Sequence, residues 1–324
     1  MKVLTQIDDF RAIPSPVVLA AGFFDGVHKG HQLVLTSAVE RAREIAGQAW
    51  VLTFDRHPLA ALAPSKCPPL LSTLDERLDL LARAGVDGAF VLPFTRRLAV
   101  QEPAAFIDWL CGGETAKTDK SDHANHVSEI RCGHNWRFGK RAAGTPELLA
   151  QVGERYGFRV VIMPYAEYQG SEISSTRIRY AVREGRLDDA AAMLGRPYSI
   201  RGPVMHGRGV GQQLNVATAN LQPATEVLPP NGVYAVRVRV ADGTQPVNGV
   251  ANLGVRPTFA DVAPDRAVLE THLLGFDGDL YGKTIEVSFL THLRDERTFD
   301  SPEALTRQIA EDIRHAQQHF TAHG

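Results

Sequence analysis

The sequence predicts an α/β protein of two domains. Residues 1–185 are expected to form a doubly wound parallel sheet, and residues 186–324 a small antiparallel β-barrel with a C-terminal helix. Two observations predict this division. Strand-like and helix-like segments alternate through the first half, which is typical of a parallel sheet with right-handed crossovers. In the second half, short β-rich segments follow one another and are separated by turn signals.

In the first half, short apolar runs predict the strands, and apolar residues at helical spacing predict the helices. Thr73 stands before one helix as a candidate N-cap. In chain order the predicted segments are a strand at 15–22, a helix at 31–47, a strand at 48–54, a helix at 73–85, a strand at 88–94, a helix at 103–110, a strand at 126–133, a helix at 145–157 and a strand at 158–165.

The second half begins with a predicted helix and turn over residues 186–200. Turns of the types "DG", "PPNG" and "FDGD" then separate the β-rich segments, which favours a small antiparallel barrel, with a sandwich as the alternative. Ser301 and Pro302 mark the start of the final helix as cap and first-turn residue. The β-rich segments are 232–240, 245–255, 267–276 and 283–293, and the final helix is 301–320.

Composition limits the class of protein. The 324 residues suffice for two domains, and contents of 44% hydrophobic and 22% charged residues indicate a soluble globular chain. No apolar stretch approaches the roughly 20 residues of a membrane span, and the N-terminal residues lack the apolar core of a signal peptide. Three cysteines predict reduced thiols and a cytoplasmic location. A net charge of −2 argues against a broad nucleic-acid surface.

The stretch "GFFDGVHKGH", residues 22–31, follows the first strand of the predicted sheet. Gly22, Gly26 and Gly30 let the backbone approach a bulky ligand at the strand exit, where open parallel sheets bind ligands. His28 and His31 can face the same ligand at the start of the next helix. Imidazole N–H groups donate to phosphate oxygens, so this turn predicts a phosphate site; the alternative is a glycine turn with two incidental histidines.

This stretch resembles the G-x-F-D-G-x-H-x-G-H signature of the bacterial bifunctional riboflavin kinase/FAD synthetase family, which belongs to the wider group of HxGH nucleotidyltransferases. The resemblance covers nearly the whole chain in the family's order. It continues through "LTFDRHPLAALAP", "GHNWRFGKRAAGTPELL", "ISSTRIR", "ATANL", "GVANLGVRPTF" and "LETHLLGFDGDLYGKTIEVSFLTHLRDERTF".

For residues 1–185 the resemblance implies an adenylyltransferase that joins FMN to the AMP part of ATP and releases pyrophosphate. It implies that His28 and His31 hold the triphosphate. It also implies that Arg179, the better match of two arginines to the family's S-S-T-x-x-R pattern, binds the polyphosphate through its guanidinium. The other ligand-binding residues implied in this module are Gly22, Phe23, Asp25, Gly26, Gly30, Asn135, Ser174, Ser175, Thr176 and Arg177.

For residues 186–324 the resemblance implies a riboflavin kinase. Thr218 and Asn220 in "ATANL" lie on one face of an extended chain, and their oxygens suit a magnesium ion that bridges ATP phosphates. The resemblance makes Glu270 the base that accepts the proton of the ribityl 5′-hydroxyl. The glycine-rich turn that can wrap phosphates contains Gly207, Gly209 and Gly211, and further binding residues are Asn252, Asp279, Tyr281 and Arg294.

The sequence departs from the family pattern in both halves. "LNVATAN" replaces the common L-G-F-P-T-A-N, so Ala217 stands where the family has proline. The loss of proline predicts a less rigid loop and leaves open a weakened or inactive kinase. His134 and Trp136 are expected to reshape the pocket edge. His57, beside the unusual Arg56, is interpreted as a turn residue.

Three further hypotheses stay open at this point. The polar segment 112–125 reads as a surface insertion. Cysteines and histidines in and near it are ligand types that zinc uses, but their spacing fits no compact zinc signature. A tRNA-related HxGH enzyme and a flavin-binding regulator without catalysis are the other functional classes. The partners expected for the leading interpretation are riboflavin, FMN and ATP, without nucleic acid or membrane, and the oligomeric state is left open.

Overall fold

The computed structural model describes residues 1–14, 16–112, 127–205, 218–240, 245–255 and 267–323. Contacts between residues divide the chain into two units, Met1–Ser175 and Thr176–Gly324. The division falls ten residues before the predicted boundary, since 186 − 176 = 10. The predicted polar insertion lies almost wholly outside the described residues.

The first unit is a six-stranded parallel sheet with helices between its strands. In spatial order the sheet runs β1-β4-β3-β2-β5-β6. In chain order its elements are β1 (Lys2–Leu4), α1 (Ile7–Arg11), β2 (Val17–Ala21), α2 (Lys29–Glu44), β3 (Gln48–Phe54), α3 (Pro58–Leu62), α4 (Leu74–Arg83), β4 (Gly88–Leu92), α5 (Arg96–Ala99), α6 (Pro103–Cys111), β5 (Val127–Gly133), α7 (Pro146–Tyr156) and β6 (Arg159–Met163).

This strand order confirms the predicted doubly wound sheet. From β2 the chain proceeds outward to β3 and β4 on one side, and later to β5 and β6 on the other. The order therefore reverses between β2 and β5, and ligands of open α/β sheets bind outside the carboxyl ends of the strands at such a reversal. The predicted histidine turn follows β2 and therefore lies at this position.

Alternate residues of the central strands enter two separate cores. Val17 and Leu19 of β2 belong to one core with Phe10 of α1, whereas Val18 and Ala20 belong to the other with residues of α2 and α4. A sheet that is covered on both faces buries every residue of its central strands. That explains why β2 reads as a continuous apolar run, "VVLAA", rather than as an alternating one.

Local signals predicted the beginnings of several helices. Thr73 caps α4 in a capping box: its side chain accepts from the backbone N–H of Glu76, whose carboxylate accepts in turn from the N–H of Thr73. The sequence analysis overlooked β1 and the short helices α1, α3 and α5, which have three to five residues each. Segments this short carry too little periodicity to be recognised.

The second unit is a closed antiparallel barrel, so the predicted barrel is confirmed and the alternative sandwich is wrong. Its strands run β10-β13-β12-β11-β14-β9, and β9 pairs with β10 to close the ring. A short hairpin precedes this unit. The remaining elements are β7 (Glu167–Tyr168), β8 (Ser171–Glu172), α8 (Ser175–Arg183), α9 (Leu187–Leu194), β9 (Ser199–Met205), β10 (Thr218–Leu221), β11 (Gly232–Val240), β12 (Val247–Val255), β13 (Ala267–Leu273), β14 (Thr284–Arg294) and α10 (Pro302–His323).

The final helix lies on the outside of the barrel. Ala316 of α10 is fully buried and forms one core cluster with Val233, Ala235 and Val250 of β11 and β12. Ser301 accepts a hydrogen bond from the N–H of Ala304 at 3.2 Å, so the predicted cap is confirmed. Among the described helices, none is long and apolar enough to cross a membrane.

A glycine in β4 is required by the indole of its partner strand. Gly88 pairs with Trp50 of β3, and a Cβ at position 88 would lie 2.4 Å from the Trp50 ring. We expect Gly88→Ala to lower the free energy of unfolding by about 1 to 3 kcal/mol, because the buried indole would have to leave its preferred position. Urea unfolding followed by tryptophan fluorescence measures this change in the first unit, which contains all three tryptophans.

A double variant provides the control. Trp50→Phe removes the ring atoms that a methyl at position 88 would meet. Trp50→Phe/Gly88→Ala should therefore lose less stability than the sum of its two single variants. Strict additivity would contradict the proposed overlap of the two side chains.

Candidate active sites

A cavity of about 380 Å³ opens at the carboxyl ends of β2, β3, β5 and β6. It lies within the first unit, at the reversal of strand order. A cavity of this volume is in the range that holds small-molecule ligands. Of the predicted site residues it is lined by Gly22, Phe23, His28, Gly30, His31, Asn135, Ser174 and Ser175.

His28 and His31 stack on each other at the start of α2. Their ring centroids are 3.6 Å apart with an interplanar angle of 19°. His28 is the N-cap of the helix, and its Nδ1 accepts from the backbone N–H of His31 at 3.4 Å. A neutral His28 that accepts at Nδ1 carries its proton on Nε2, so Nε2 is the atom that can donate to a ligand.

His31 is held as a neutral imidazole. Burial, the neighbouring His28 and the guanidinium of Arg77 lower the pKa of His31 well below its ordinary value of 6.5. Its Nδ1 is buried and has no hydrogen-bond partner among the described residues. Near neutral pH, His31 therefore offers a hydrogen bond to an anion rather than a full positive charge.

The turn before the histidines has an unusual backbone. Phe24, Gly26 and Val27 have φ values of 61°, 75° and 40°. Positive φ is costly for a β-branched residue such as Val27, and such strain persists only where surrounding contacts enforce it. Here the Asp25 carboxylate accepts from the N–H groups of Leu71 and Ser72 at 3.0 and 3.1 Å.

Further bonds join the same two segments. The Ser72 hydroxyl donates to Asp25 at 3.3 Å and accepts from the N–H of Gly26 at 3.0 Å. Asp25 is 3% exposed, so its carboxylate holds the turn in place. This is a structural role that the sequence analysis did not assign. The predicted contacts of Asp25 and Gly26 with a nucleotide stay predictions.

Two glycines of the motif face aromatic rings at short distance. A Cβ at Gly22 would lie 3.0 Å from the Phe24 ring, and a Cβ at Gly30 would lie 3.2 Å from the His28 ring. Any larger residue at these two positions would move a ring that lines the cavity. The glycines are thus needed for close packing of the protein against itself.

The rim of the cavity carries the residues that depart from the family pattern. His134 and Trp136 both line it, as expected for residues that reshape the pocket edge. The Nε2 of His134 lies 3.8 Å from a carboxylate oxygen of Glu172, and the ring packs edge-on to Tyr165 at 5.7 Å. His57 caps α3 by accepting at Nδ1 from the N–H of Leu59 at 3.1 Å, consistent with a turn residue.

The serine-rich segment comes to the same cavity. Ser175 is the first residue of α8, and its hydroxyl donates to the backbone carbonyl of Asp25 at 3.0 Å. Ser174 lines the cavity beside it. Thr176, Arg177 and Arg179 follow on α8 and belong to the second unit, where Arg179 is 9% exposed.

A second candidate site lies on the barrel. Glu270 of β13 pairs directly with Asn220 of β10 on one side and with Asn252 of β12 on the other. Directly opposed residues of antiparallel strands point to the same face, so these three side chains form one row, which we call the polar row. The flanking rows, Leu221–Leu269–Leu253 and Ala219–Thr271–Ala251, are buried in the barrel, which places the polar row on its outer face.

The donor set of the polar row fits a hard cation. Glu270 and Asn220 supply carboxylate and amide oxygens from neighbouring strands, and magnesium prefers oxygen ligands. The backbone of Thr218 is in β10, two residues from Asn220. Its side chain is not among the described parts of the structure, and Gly207, Gly209 and Gly211 lie outside the described residues.

The remaining predicted residues of this module make local contacts. Arg294 donates to both carboxylate oxygens of Asp312 at 2.9 and 2.7 Å and so joins β14 to α10. Asp279 accepts from the N–H of Tyr281 at 2.9 Å, which closes a turn, and Tyr281 is 41% exposed. Ligand contacts of these three residues stay predictions.

Comparison with known proteins identifies the family. A family model described as FAD synthetase matches residues 10–177, and one described as riboflavin kinase matches residues 194–320. The chain belongs to the bifunctional riboflavin kinase/FMN adenylyltransferase family. It is 36% identical over 321 residues to the enzyme of that description from Escherichia coli K12, covering 99% of this chain and 98% of the relative.

Further relatives agree over nearly the full length. The bifunctional riboflavin kinase/FMN adenylyltransferase of Pseudomonas fluorescens is 34% identical and covers 97% of this chain and 96% of its own. A crystal structure described as a macrolide-efflux protein from Streptococcus pneumoniae is 30% identical, with a TM-score of 0.79 and coverage of 97% and 98%. Its description concerns that protein, and what it shows for this chain is the fold.

Family membership decides against two open hypotheses, the tRNA-related HxGH enzyme and the flavin-binding regulator without catalysis. The chain is a transferase with both a riboflavin kinase module and an FAD synthetase module, as predicted. Nothing in the comparisons favours a weakened kinase. For the zinc hypothesis, Cys111 and Cys132 are both buried, and burial raises the pKa of their thiols to about 12. The described residues contain no cluster of three or more metal-ligating side chains of the His, Cys, Asp and Glu types.

The lowered pKa of His31 predicts a pH effect on stability. Above pH 6.5 the imidazole is neutral in both the folded and the unfolded chain, so the shift has no effect there. Below pH 6.5 the unfolded chain takes up a proton that the folded chain does not, and the free energy of unfolding falls as the pH falls. We expect His31→Gln to weaken this decline, measured by urea unfolding with tryptophan fluorescence.

His315→Gln is the matched control, because His315 is exposed on α10 in the other unit. It should leave the decline as it is in the wild type. A decline of equal size in wild type and His31→Gln would show that His31 takes up its proton as readily in the folded as in the unfolded chain.

Proposed function

We propose that the two modules catalyse successive steps at two separate sites. The barrel module transfers the γ-phosphoryl group of ATP to the ribityl 5′-hydroxyl of riboflavin, giving FMN. The sheet module joins FMN to the AMP part of a second ATP and releases pyrophosphate. The observation that carries the proposal is that each matched module has its own polar site, the histidine-lined cavity in one and the polar row in the other.

Adenylyl transfer at the cavity requires positioning rather than a protein nucleophile. An oxygen of the FMN phosphate attacks the α-phosphorus of ATP, the bond to the β-phosphate oxygen breaks, and pyrophosphate leaves with its electron pair. We assign His28 and His31 to the triphosphate oxygens. Their imidazole N–H groups donate hydrogen bonds that strengthen as charge develops on the leaving pyrophosphate.

The other residues of this module orient the substrates. Ser174 and Ser175 present hydroxyls at the cavity, and Asn135 presents an amide. Arg179, with Arg177 and Thr176, is assigned to the polyphosphate by the motif that it shares with the family. Guanidinium groups suit this task because their planar fork matches two phosphate oxygens at once.

Phosphoryl transfer at the polar row requires a base and a neutralised ATP. Glu270 is assigned as the base that accepts the proton of the ribityl hydroxyl while the hydroxyl oxygen attacks the γ-phosphorus; the bond from that phosphorus to the bridging oxygen breaks, and ADP leaves with the electron pair. Asn220 and Thr218 are assigned to magnesium, which neutralises charge on the ATP phosphates when it is bound. Asn252, on the other side of Glu270, can orient the attacking hydroxyl through its amide.

The setting of the enzyme follows from the same assignment. Riboflavin, FMN and ATP are small soluble ligands, so neither chemical step calls for nucleic acid or a membrane surface. We therefore keep the expectation of a cytoplasmic enzyme with these three partners.

Incubating the full chain with riboflavin, ATP and magnesium tests the function directly. We expect FMN to form first and FAD to follow, with one pyrophosphate released per FAD, and chromatography separates the three flavins. Accumulation of FMN without FAD would refute the cavity assignment. If riboflavin yielded neither FMN nor FAD, although FMN added to a second sample was converted to FAD, the kinase assignment would be refuted.

Two variants test whether the sites are separate. Glu270→Gln removes the base without changing the side-chain size, so FMN formation should stop while conversion of supplied FMN to FAD persists. His31→Ala should slow the second conversion by about a hundredfold and leave the first unchanged. If either folded variant lost both activities, the assignment of two independent sites would be wrong.

A further inference from the structure

Arg77 is hydrogen-bonded to the segment that leads into the histidine turn, and the proposed mechanism gives it no role. It is in α4 and is 1% exposed. Its guanidinium donates to the carbonyl oxygen of Phe23 at 3.1 Å and to that of Phe54 at 2.6 Å. The same group lies 4.3 Å from the centre of the Phe23 ring. One side chain thus joins the segment that follows β2 to the end of β3, and both phenylalanines line the cavity.

Stability of the fold alone does not require a buried guanidinium at this position. Burying a guanidinium costs free energy that its hydrogen bonds must offset, and an apolar residue of similar volume often serves stability as well. The Nε of Arg77 is buried without a hydrogen-bond partner in the described part of the chain, so the site is not optimised for stability alone. The negative charges of Asp25 and Asp55 act on the guanidinium.

Arg77 and Asp25 act on the same strained turn from two sides. Asp25 is hydrogen-bonded to residues 71 and 72, and Arg77 follows five residues after Ser72 in α4, whose start is closed by the capping box of Thr73 and Glu76. Phe23, whose carbonyl Arg77 holds, directly precedes the first residue of the turn with positive φ. The segment 71–77 therefore supplies two of the anchors of the turn that carries His28 and His31; the hydroxyls of Thr53 and Ser175, which donate to the carbonyls of Phe23 and Asp25, supply two more.

We infer that Arg77 is a positioning residue for adenylyl transfer: it joins the segment that follows β2 to the end of β3 and holds the histidine turn in the shape that the triphosphate requires. This inference rests on the proposed function of the cavity. A small displacement of groups that position reacting atoms reduces rates strongly, so loss of either carbonyl contact should act on FAD formation before it acts on folding.

The positive charge of Arg77 has a second consequence. The charged or titratable groups that act on His31 are His28 and Arg77, and both oppose a second positive charge there. Arg77 therefore helps to keep His31 in the neutral form that donates hydrogen bonds. Removing the charge should raise the pH at which His31 takes up a proton, whereas keeping the charge should not.

Two variants separate the geometric and the electrostatic contributions. Arg77→Lys keeps the charge but loses the fork that reaches both carbonyls, and Arg77→Gln loses the charge as well. We expect kcat/KM for FAD formation from FMN to fall about ten- to a hundredfold in both. The acid limb of the pH profile should move to higher pH only in Arg77→Gln, and NMR titration of the His31 ring should show the same difference.

Riboflavin phosphorylation by the same samples monitors the other module, and tryptophan fluorescence monitors the fold of the first. Arg83→Gln, an exposed arginine of the same helix, is the matched control and should leave both activities unchanged.

If one Arg77 variant fails to fold, the other decides: FAD formation at the wild-type rate overturns the inference. A loss of activity in both variants with no change in either acid limb also overturns it, since that pattern indicates structural damage alone. If the wild type forms no FAD, the proposed function fails, and the role of Arg77 falls with it.

Discussion

The histidine-lined cavity depends on the hydrogen bonds between the Asp25 carboxylate and the backbone of Leu71 and Ser72. Phe24 and Val27 hold positive φ values that neither residue favours, and these bonds offset that cost. Because the turn is held there, His28 reaches the N-cap position of α2 and His31 stacks against it. A buried carboxylate that does not line the cavity therefore determines where the two histidines lie that we assign to phosphate.

The two modules reach functional geometry by different physical means. In the sheet module, the reversal of strand order brings loops from both sides of β2 to one cavity, and their exact course depends on local anchors. In the barrel module, strand pairing alone aligns Asn220, Glu270 and Asn252. His134 and Trp136, which depart from the family pattern, line this cavity and are not among the anchors of the histidine turn.

The sequence predicted features that local chemistry determines, and it missed those that depend on distant contacts. Thr73 and Ser301 were recognisable as caps because a cap acts on its own helix. The strand Ser199–Met205 was not predicted, because it contains Gly202, and glycine in a sequence indicates a turn. Gly202 is needed there because a Cβ would lie 2.1 Å from the carbonyl oxygen of Gln222. Likewise, nothing local to Asp25 indicates partners 46 residues away.

In the polar row, the family motifs identify the residues, and the strand register determines that they stand side by side. The motifs selected Glu270, Asn220 and Asn252 separately, but no spacing along the chain predicts that they stand side by side. Register is strongly specified because Leu221, Leu253 and Leu269 are all fully buried in the neighbouring row. A slip of one residue between strands would turn the carboxylate inward and the leucines outward, at a large cost in free energy. The hydrophobic interior of the barrel thus keeps the Glu270 carboxylate, which we assign as the base, on the outer face.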